Sequence, residues 1–158
     1  AYHYGYTYCS HKRTVLFAST GTMMVHDEIN RGNRLDTPHI QRWNLAYEVS
    51  VREYDSHSVI LERDGLFLLL VWDRPLDIKV FKNIEPLKAI MSESDIGYTI
   101  DVSFEPEIDP QGMKEMLVGL KMLAIDITEK DPKPIEEYVA LLKDAPCDVA
   151  TLGVLGLL

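Results

Sequence analysis

The sequence predicts an α+β protein in which a mostly antiparallel sheet is covered on one face by two C-terminal helices. Three observations carry this prediction. Residues 59–81 form the most apolar stretch and contain clear turn signals, several other segments alternate apolar and polar residues, and helical spacing replaces this alternation in the last third. With 158 residues, of which 46% are hydrophobic and 26% charged, the chain is expected to form one domain over residues 1–158.

The N-terminal residues predict a strand, followed by a hairpin. Every second residue from position 2 to position 8 is a tyrosine: Tyr2, Tyr4, Tyr6 and Tyr8. This periodicity in a residue that favours strands predicts a strand with the tyrosines on one face. Residues 14–25 predict a hairpin around a Ser-Thr-Gly turn, residues 27–36 a loop, and residues 37–43 a short helix that begins with an N-cap threonine and a proline.

Residues 45–81 predict a four-stranded antiparallel meander. Apolar and polar residues alternate over 45–52, and Asp64-Gly65 is a strong signal for a type I′ hairpin turn. Leu66–Trp72 is apolar without alternation, which predicts the central strand of the sheet, with both faces covered. Arg74-Pro75 predicts the turn into the last strand of the meander.

The remaining elements are one strand and three helices. Residues 85–92 predict a short helix, and residues 96–104 alternate cleanly and predict a half-buried strand. A helix is predicted from Asp109 to Ala124, because a proline follows its N-cap and apolar residues recur at helical spacing. Pro134 begins the second of the two C-terminal helices.

Composition limits the possible partners. Sixteen basic and twenty-five acidic side chains give a formal charge of -9, which disfavours nucleic acid and anionic membranes. The longest apolar run is far shorter than the roughly 20 residues that cross a bilayer. Cys9 and Cys147 are too few and too distant for a disulfide framework. We therefore expect a soluble protein without a cofactor, located in the cytoplasm or within a particle assembled there.

The first strand contains candidate metal ligands. His3, Cys9 and His11 would share the face opposite the tyrosines, and these residue types suit zinc or another borderline metal ion. His26 or Asp27 is a possible further ligand. The alternative is an edge strand with scattered polar residues in contact with solvent.

A second candidate is the Asp-x-Lys pattern at Asp77 and Lys79, which is typical of metal-dependent nucleases when an upstream carboxylate joins it. Asp64 or Asp73 could supply that carboxylate. If residues 66–72 and 76–81 form a hairpin, however, Asp64 and Asp77 lie roughly 23 Å apart at its opposite ends. The alternative, an exposed face of an outer strand, is favoured.

The two ends of the chain indicate association with another protein. Apart from the four tyrosines, the predicted contact residues are Leu155 and Leu157 in the apolar C-terminal segment. The sequence therefore predicts a non-enzymatic interaction or assembly subunit that forms a homo-oligomer, such as a viral or phage particle component or an inhibitor-type binding protein. The alternative is a small enzyme with a pocket between sheet and helices, in which His26 or His57 lies beside a carboxylate.

Overall fold

A seven-stranded antiparallel sheet forms the middle layer of the protein in the computed structural model, with a three-stranded sheet on one side and helices on the other. The structure describes residues 2–6, 9–18, 20–30, 39–104 and 117–154, and of these, residues 2–6, 9, 30, 117, 118 and 154 by their backbone alone. The strands are β1 (Tyr2–Tyr6), β2 (Cys9–Phe17), β3 (Met23–Asn30), β4 (His39–Asn44), β5 (Ser50–Tyr54), β6 (Ser58–Arg63), β7 (Leu66–Trp72), β8 (Asp77–Lys82), β9 (Tyr98–Phe104) and β10 (Leu117–Asp126). The helices are α1 (Ile84–Leu87), α2 (Ile135–Asp144) and α3 (Val149–Val154), and a short 3₁₀ helix spans Glu93–Asp95.

The strand order of the large sheet is β1-β2-β3-β10-β7-β6-β5, and that of the small sheet is β4-β9-β8. All the described pairings are antiparallel. The large sheet is thus more than twice as wide as the sheet that covers it.

Two hydrophobic cores lie on opposite faces of the large sheet. Because successive side chains of a strand point to opposite faces, Leu70 and Trp72 of β7 pack towards the small sheet, whereas Leu69 and Val71 pack towards the helices. This burial on both faces confirms the prediction for β7. The prediction that β7 is also the central strand is wrong, because the middle position of the sheet belongs to its neighbour β10.

The helical layer is held by one apolar stripe and one lysine. In α2, Tyr138 and Leu142 are buried while Glu136 and Glu137 face solvent, as expected for an amphipathic helix. The Lys121 side chain, from β10, donates to the carbonyl oxygens of Leu142 at 2.8 Å and of Ala145, which satisfies the C-terminal end of α2. None of the helices in the described part of the chain combines the length and apolar character needed to cross a membrane.

The predicted fold class is confirmed, because the chain forms mostly antiparallel sheet with helices near its C-terminus. The N-terminal hairpin is β2 and β3, joined at Gly21, where φ is +78°. Asp64 and Gly65 have φ angles of 53° and 80°, the two positive values that a type I′ turn requires. The predicted strand at 96–104 is β9.

The helix predicted from Asp109 to Ala124 is wrong over its described part. Residues 117–126 form β10, and residues 109–116 lie outside the described residues. Leu120, Met122 and Ala124 face one core, whereas Leu123 and Ile125 face the other. A strand buried on both faces has no alternation that would identify it in the sequence.

Four further predictions need correction. Residues 45–81 are not a single meander, because β8 leaves the large sheet after Arg74-Pro75 and pairs with β9. The short helix predicted through residue 43 is instead β4. The strand predicted to start at residue 45 begins at Ser50, after a turn, and the predicted loop at 27–36 starts only after β3 ends at Asn30.

Candidate functional site

Asp27 is a carboxylate buried between the two sheets, with 2% of its surface exposed. It lies on β3 directly opposite Arg13 of β2, and residues opposed in this way share a face of the sheet. The Arg13 guanidinium donates to Asp27 through Nε at 2.6 Å and Nη2 at 2.7 Å. His11 lies two residues before Arg13 on the same face, and its Nε2 is 2.8 Å from Asp27 Oδ1.

Gln41 connects this carboxylate to the small sheet. Its Nε2 donates to Asp27 Oδ2 at 2.7 Å, and its Oε1 accepts hydrogen bonds from Trp43 Nε1 at 3.0 Å and Trp72 Nε1 at 2.8 Å. An indole N–H can only donate and an ionised carboxylate can only accept, so the amide has one satisfactory orientation. The two tryptophans of the chain therefore share one acceptor.

The electrostatic environment keeps Asp27 ionised. Burial alone would raise the pKa of this carboxyl, but the hydrogen bonds from Arg13, Gln41 and His11 outweigh burial and lower the pKa below its ordinary value. The hydrogen bond to Asp27 in turn raises the pKa of Arg13. The Arg13 guanidinium also lies over the ring of Trp43, 5.1 Å from its centroid, which adds a cation–π contact.

The Asp27 carboxylate has no acceptor position to spare. Oδ1 accepts from His11 and from Arg13 Nε, and Oδ2 accepts from Arg13 Nη2 and from Gln41. A carboxylate offers about four acceptor sites, so binding a metal ion or a substrate proton would require one of these bonds to break. The network is therefore suited to joining three strands and two sheets rather than to catalysis.

A second buried carboxylate, Asp73, lies just after β7. It accepts a hydrogen bond from the backbone N–H of Lys121 at 3.1 Å and faces Arg74 Nη1 at 3.3 Å. Burial raises the pKa of Asp73 despite these partners. His26 lies beside Lys121 in the pairing of β3 with β10, and burial lowers the pKa of this histidine. Each of these two groups also acts electrostatically on the other, since Asp73 raises the pKa of His26 and His26 lowers that of Asp73.

The predicted metal ligands are only partly described. The prediction that His3, Cys9 and His11 share the first strand is wrong, because His3 lies on β1 and the other two lie on β2. Backbone pairing places His3 opposite His11, while the side chains of His3 and Cys9 lie outside the described residues. His26 and Asp27 are adjacent on β3, so their side chains point to opposite faces and cannot both join His11. No group of three or more potential metal-ligating side chains occurs in the part of the chain that the structure describes.

The Asp-x-Lys pattern lies on an exposed face of the small sheet. Lys79 Nζ is 3.2 Å from Asp77 Oδ2, and both side chains are more than half exposed. The hairpin assumed between residues 66–72 and 76–81 is wrong, since β8 pairs with β9, so the separation of Asp64 and Asp77 derived from it does not apply. The upstream candidate Asp73 is buried and bonded within the large sheet.

The predicted contact residues of the N-terminus lie at one edge of the large sheet. Tyr2, Tyr4 and Tyr6 belong to β1, the outermost described strand on that side, whereas Tyr8, Leu155 and Leu157 fall outside the described residues. Among the described residues, the pairs of β1 with β2 run from Cys9 to Lys12. Beyond that point β2 presents two large apolar side chains to solvent, Val15 and Phe17.

At least two open cavities are bordered by described residues. One, of about 350 Å³, is bordered by Tyr47, Leu87, Met91 and Asp95, among others, and the other, of about 290 Å³, has four leucines among its bordering residues and lies at the β6–β7 turn. Neither cavity is bordered by His26 or His57. His57 instead belongs to an exposed turn, where its backbone N–H donates to Asp55 at 2.7 Å.

Several functional candidates were not predicted from the sequence. Arg13 and Gln41 carry no motif, and only the strand pairing brings them to Asp27. The cavity beside Tyr47 is likewise formed by two loops that are distant in sequence. In the sequence it is marked only by a tyrosine and a methionine that have acidic residues nearby. Comparison of the chain with protein-family models and with curated proteins finds no match, so its function is argued from these sites.

Proposed function

We propose that this chain is a non-enzymatic interaction or assembly subunit that associates with a second copy of itself through the outer end of β2. Such self-association suits a component of a viral or phage particle, and the same surface chemistry suits an inhibitor-type binding protein. The observation that carries the proposal is the exposure of Val15 and Phe17 on the face of the large sheet that is elsewhere covered by the small sheet.

The cover over β2 decreases along the strand. Arg13 lies under Trp43 of the small sheet, whereas Val15 is 41% exposed and Phe17 is 78% exposed. Their cross-strand neighbours Val25 and Met23 pack in or against the core. The wide sheet therefore extends past the narrow one, and its surplus apolar surface faces water, which is a common feature of protein interfaces.

The same end of β2 is also a sheet edge in the described part of the chain. Residues 14–17 pair with β3 on one side, and the described pairs of β1 end at Lys12. The opposite edge of the sheet is better protected, because β5 contains a register shift between Val51 and Glu53 and carries charged side chains. An edge rich in apolar and β-branched residues favours addition of a further strand.

Oligomeric state measured by sedimentation velocity and multi-angle light scattering tests the proposal. The wild-type chain should form a dimer whose fraction rises with concentration, and Val15→Lys should shift it to monomer, since a lysine at a sheet edge opposes strand pairing. Val149→Lys, which changes an exposed valine on α3, is the matched control and should leave the dimer intact. If the wild-type chain stayed monomeric at about 1 mM, the Kd of the dimer would be too weak for assembly, and this result would contradict the proposal.

The enzyme alternative receives less support. The hydrogen-bonded histidine–carboxylate contact between His11 and Asp27 is part of the saturated network, and His26 and His57 do not border either cavity described above. Proton transfer at Asp27 would disrupt the bonds that join the sheets. We therefore do not assign a reaction to this chain.

A further inference from the structure

The cavity beside Tyr47 is a surface cleft with a rigid floor. It lies between the loop that follows β4 and the connection from β8 to β9, and we call it the Tyr47 cleft, after the tyrosine at its rim. Its floor is fixed where Leu45 N–H donates to the carbonyl oxygen of Tyr98 at 2.8 Å. A Cβ atom at Gly97 would lie 2.0 Å from the Leu45 carbonyl oxygen, so only glycine allows the two segments to approach this closely.

Large apolar side chains are exposed around this floor. Tyr47 is 56% exposed, Met91 is 42% exposed and Ile90, beside Met91, is 78% exposed. Leu87 forms part of the wall beneath them. Tyrosine and methionine are enriched in protein interfaces, and a partner side chain entering between Tyr47 and Met91 would remove this apolar surface from water.

The cleft is also negatively charged. Asp95 borders the cleft, and three further carboxylates and two lysines lie within two positions of bordering residues in the sequence: Glu48, Glu85, Glu93, Lys82 and Lys88. Lys88 is paired with Glu85, and Lys82 Nζ lies 5.1 Å from the centroid of the Tyr98 ring. A hydrogen bond to the Glu48 carboxylate raises the pKa of Tyr47, with a further contribution from Asp95, which places both carboxylates near the tyrosine.

The remaining cation near Tyr47 is Arg63, which faces Asp64 at 3.5 Å. Within the described residues, no ion pair is formed by Glu48, Glu93 or Asp95. The rim therefore offers carboxylates to an incoming cation, in a chain whose net charge of -9 already attracts basic proteins.

From this geometry we infer that the Tyr47 cleft binds a basic segment of a different protein. A large apolar side chain of that segment enters between Tyr47 and Met91, and an adjacent lysine or arginine contacts Glu48 and Asp95. This surface is separate from the β2 edge in sequence and in the fold, so it adds a second kind of partner to the proposed self-association.

The inference is tested with a defined probe and the full chain. A fluorescein-labelled peptide with a central phenylalanine and two arginines on each side is titrated with protein, and binding is followed by fluorescence anisotropy. We expect saturable binding that weakens by about tenfold or more when NaCl is raised from about 50 mM to about 500 mM, because salt screens exposed charges. The analogue with glutamates in place of the arginines should not bind.

Two variants with the same change of charge locate the binding site. Asp95→Lys should weaken peptide binding by about tenfold or more, since it places a like charge against the peptide. Glu136→Lys, on the exposed face of α2, should change it by less than about twofold. Tyr47→Ser should weaken binding without changing the net charge, which separates the apolar contribution from general electrostatic attraction.

Three results would overturn the inference: no binding of the basic peptide at millimolar concentration, equal loss of affinity in Asp95→Lys and Glu136→Lys, or unchanged affinity in Tyr47→Ser. Light scattering of the same variants keeps this test independent of the proposed self-association. Asp95→Lys is expected to retain the oligomeric state of the wild type, and Val15→Lys is expected to retain peptide binding.

Discussion

The amide nitrogen of Gln41 donates a hydrogen bond of 2.7 Å to the Asp27 carboxylate, and this contact joins the two sheets at a buried point. The amide oxygen of the same residue accepts hydrogen bonds from both indole groups of the protein. One side chain therefore satisfies three polar groups from three different strands. The packing of the small sheet on the large one depends on a polar link inside an otherwise apolar core.

Gln41→Leu should lower the free energy of unfolding by about 2–4 kcal/mol, because the leucine leaves buried donors and an acceptor without a partner. The measurement is urea denaturation followed by tryptophan fluorescence, which also reports the loss of the bonds to Trp43 and Trp72. Asn44→Leu is the control, since this amide lies near the end of the same strand and accepts one bond, from Thr99, at 3.1 Å. Its effect should stay below about 1 kcal/mol. Equal effects of the two substitutions would show that the shared acceptor has no special role.

Acid should weaken the fold through Asp27. The folded-state pKa of this carboxyl is lowered, so its stabilising contribution is complete above the unfolded-state pKa of about 3.9 and is lost as the pH falls through the folded value. In Asp27→Asn, the free energy of unfolding should be lower by about 3–5 kcal/mol at pH 7, because Arg13 loses its buried partner. Its dependence on pH below about 4 should be flatter than in the wild type. If the free energy of unfolding depended on pH equally in the two proteins, Asp27 would not be the source of the acid sensitivity.

Asp73 should act in the opposite direction. Its folded-state pKa is raised, so the folded protein binds the proton more tightly than the unfolded chain, and stability falls as the pH rises from about 4 through the folded value. Asp73→Asn keeps an acceptor for the Lys121 N–H and removes the buried charge. Its stability at pH 7 should therefore equal or exceed that of the wild type. A loss of more than about 1 kcal/mol would indicate that the charge stabilises the fold through Arg74.

The fold class could be predicted because local signals are strong in several segments. Residues 98–104 form a strand whose Ile100 and Val102 face the core between the sheets, as their alternation predicts. Asp64 and Gly65 favour one turn type, and the turn fixes the β6–β7 hairpin around it. These segments need no information from elsewhere in the chain.

The position of β10 could not be predicted in the same way. Leu117, Leu120 and Ala124 fall at helical spacing only because nearly all the positions around them are apolar. A strand in the middle of a sheet with both faces covered needs this composition, and so does a buried helix. The pairing of β8 within the second sheet also depends on long-range contacts, since a turn signal does not specify which strand the chain will pair with next.

The candidate sites depend even more on long-range pairing. His11 and Asp27 were identified from residue type, but as metal ligands, while Arg13 and Gln41 were not identified. Their partners are 14 or 16 positions apart, and Trp72 reaches Gln41 across 31 positions. Strand register and the stacking of the sheets decide which polar residues come into contact. The local spacing of residues in the sequence determines neither of them.

Gly97→Ala tests the floor of the Tyr47 cleft. The new Cβ would lie 2.0 Å from a backbone oxygen that cannot rotate away, so we expect the free energy of unfolding to fall by about 2 kcal/mol or more. The matched control is Gly65→Asn, because Gly65 has a positive φ but no atom within 4 Å of the added Cβ. Asparagine tolerates this backbone conformation, so the control should lose less than about 1 kcal/mol by urea denaturation. If Gly65→Asn lost more stability than Gly97→Ala, the close approach of the two loops would not lie at Gly97.

Leu69→Asp should unfold the protein. Leu69 is 1% exposed on the helix side of β7, and an unpartnered charge in that position costs several kcal/mol against a total stability of about 5–15 kcal/mol. Leu66→Asp is the control, because Leu66 starts the same strand but is 61% exposed, so its variant should keep the far-ultraviolet circular dichroism and cooperative unfolding of the wild type. If Leu69→Asp were folded and as stable as Leu66→Asp, the helices would not cover this face of the sheet, because a covered aspartate could not reach water.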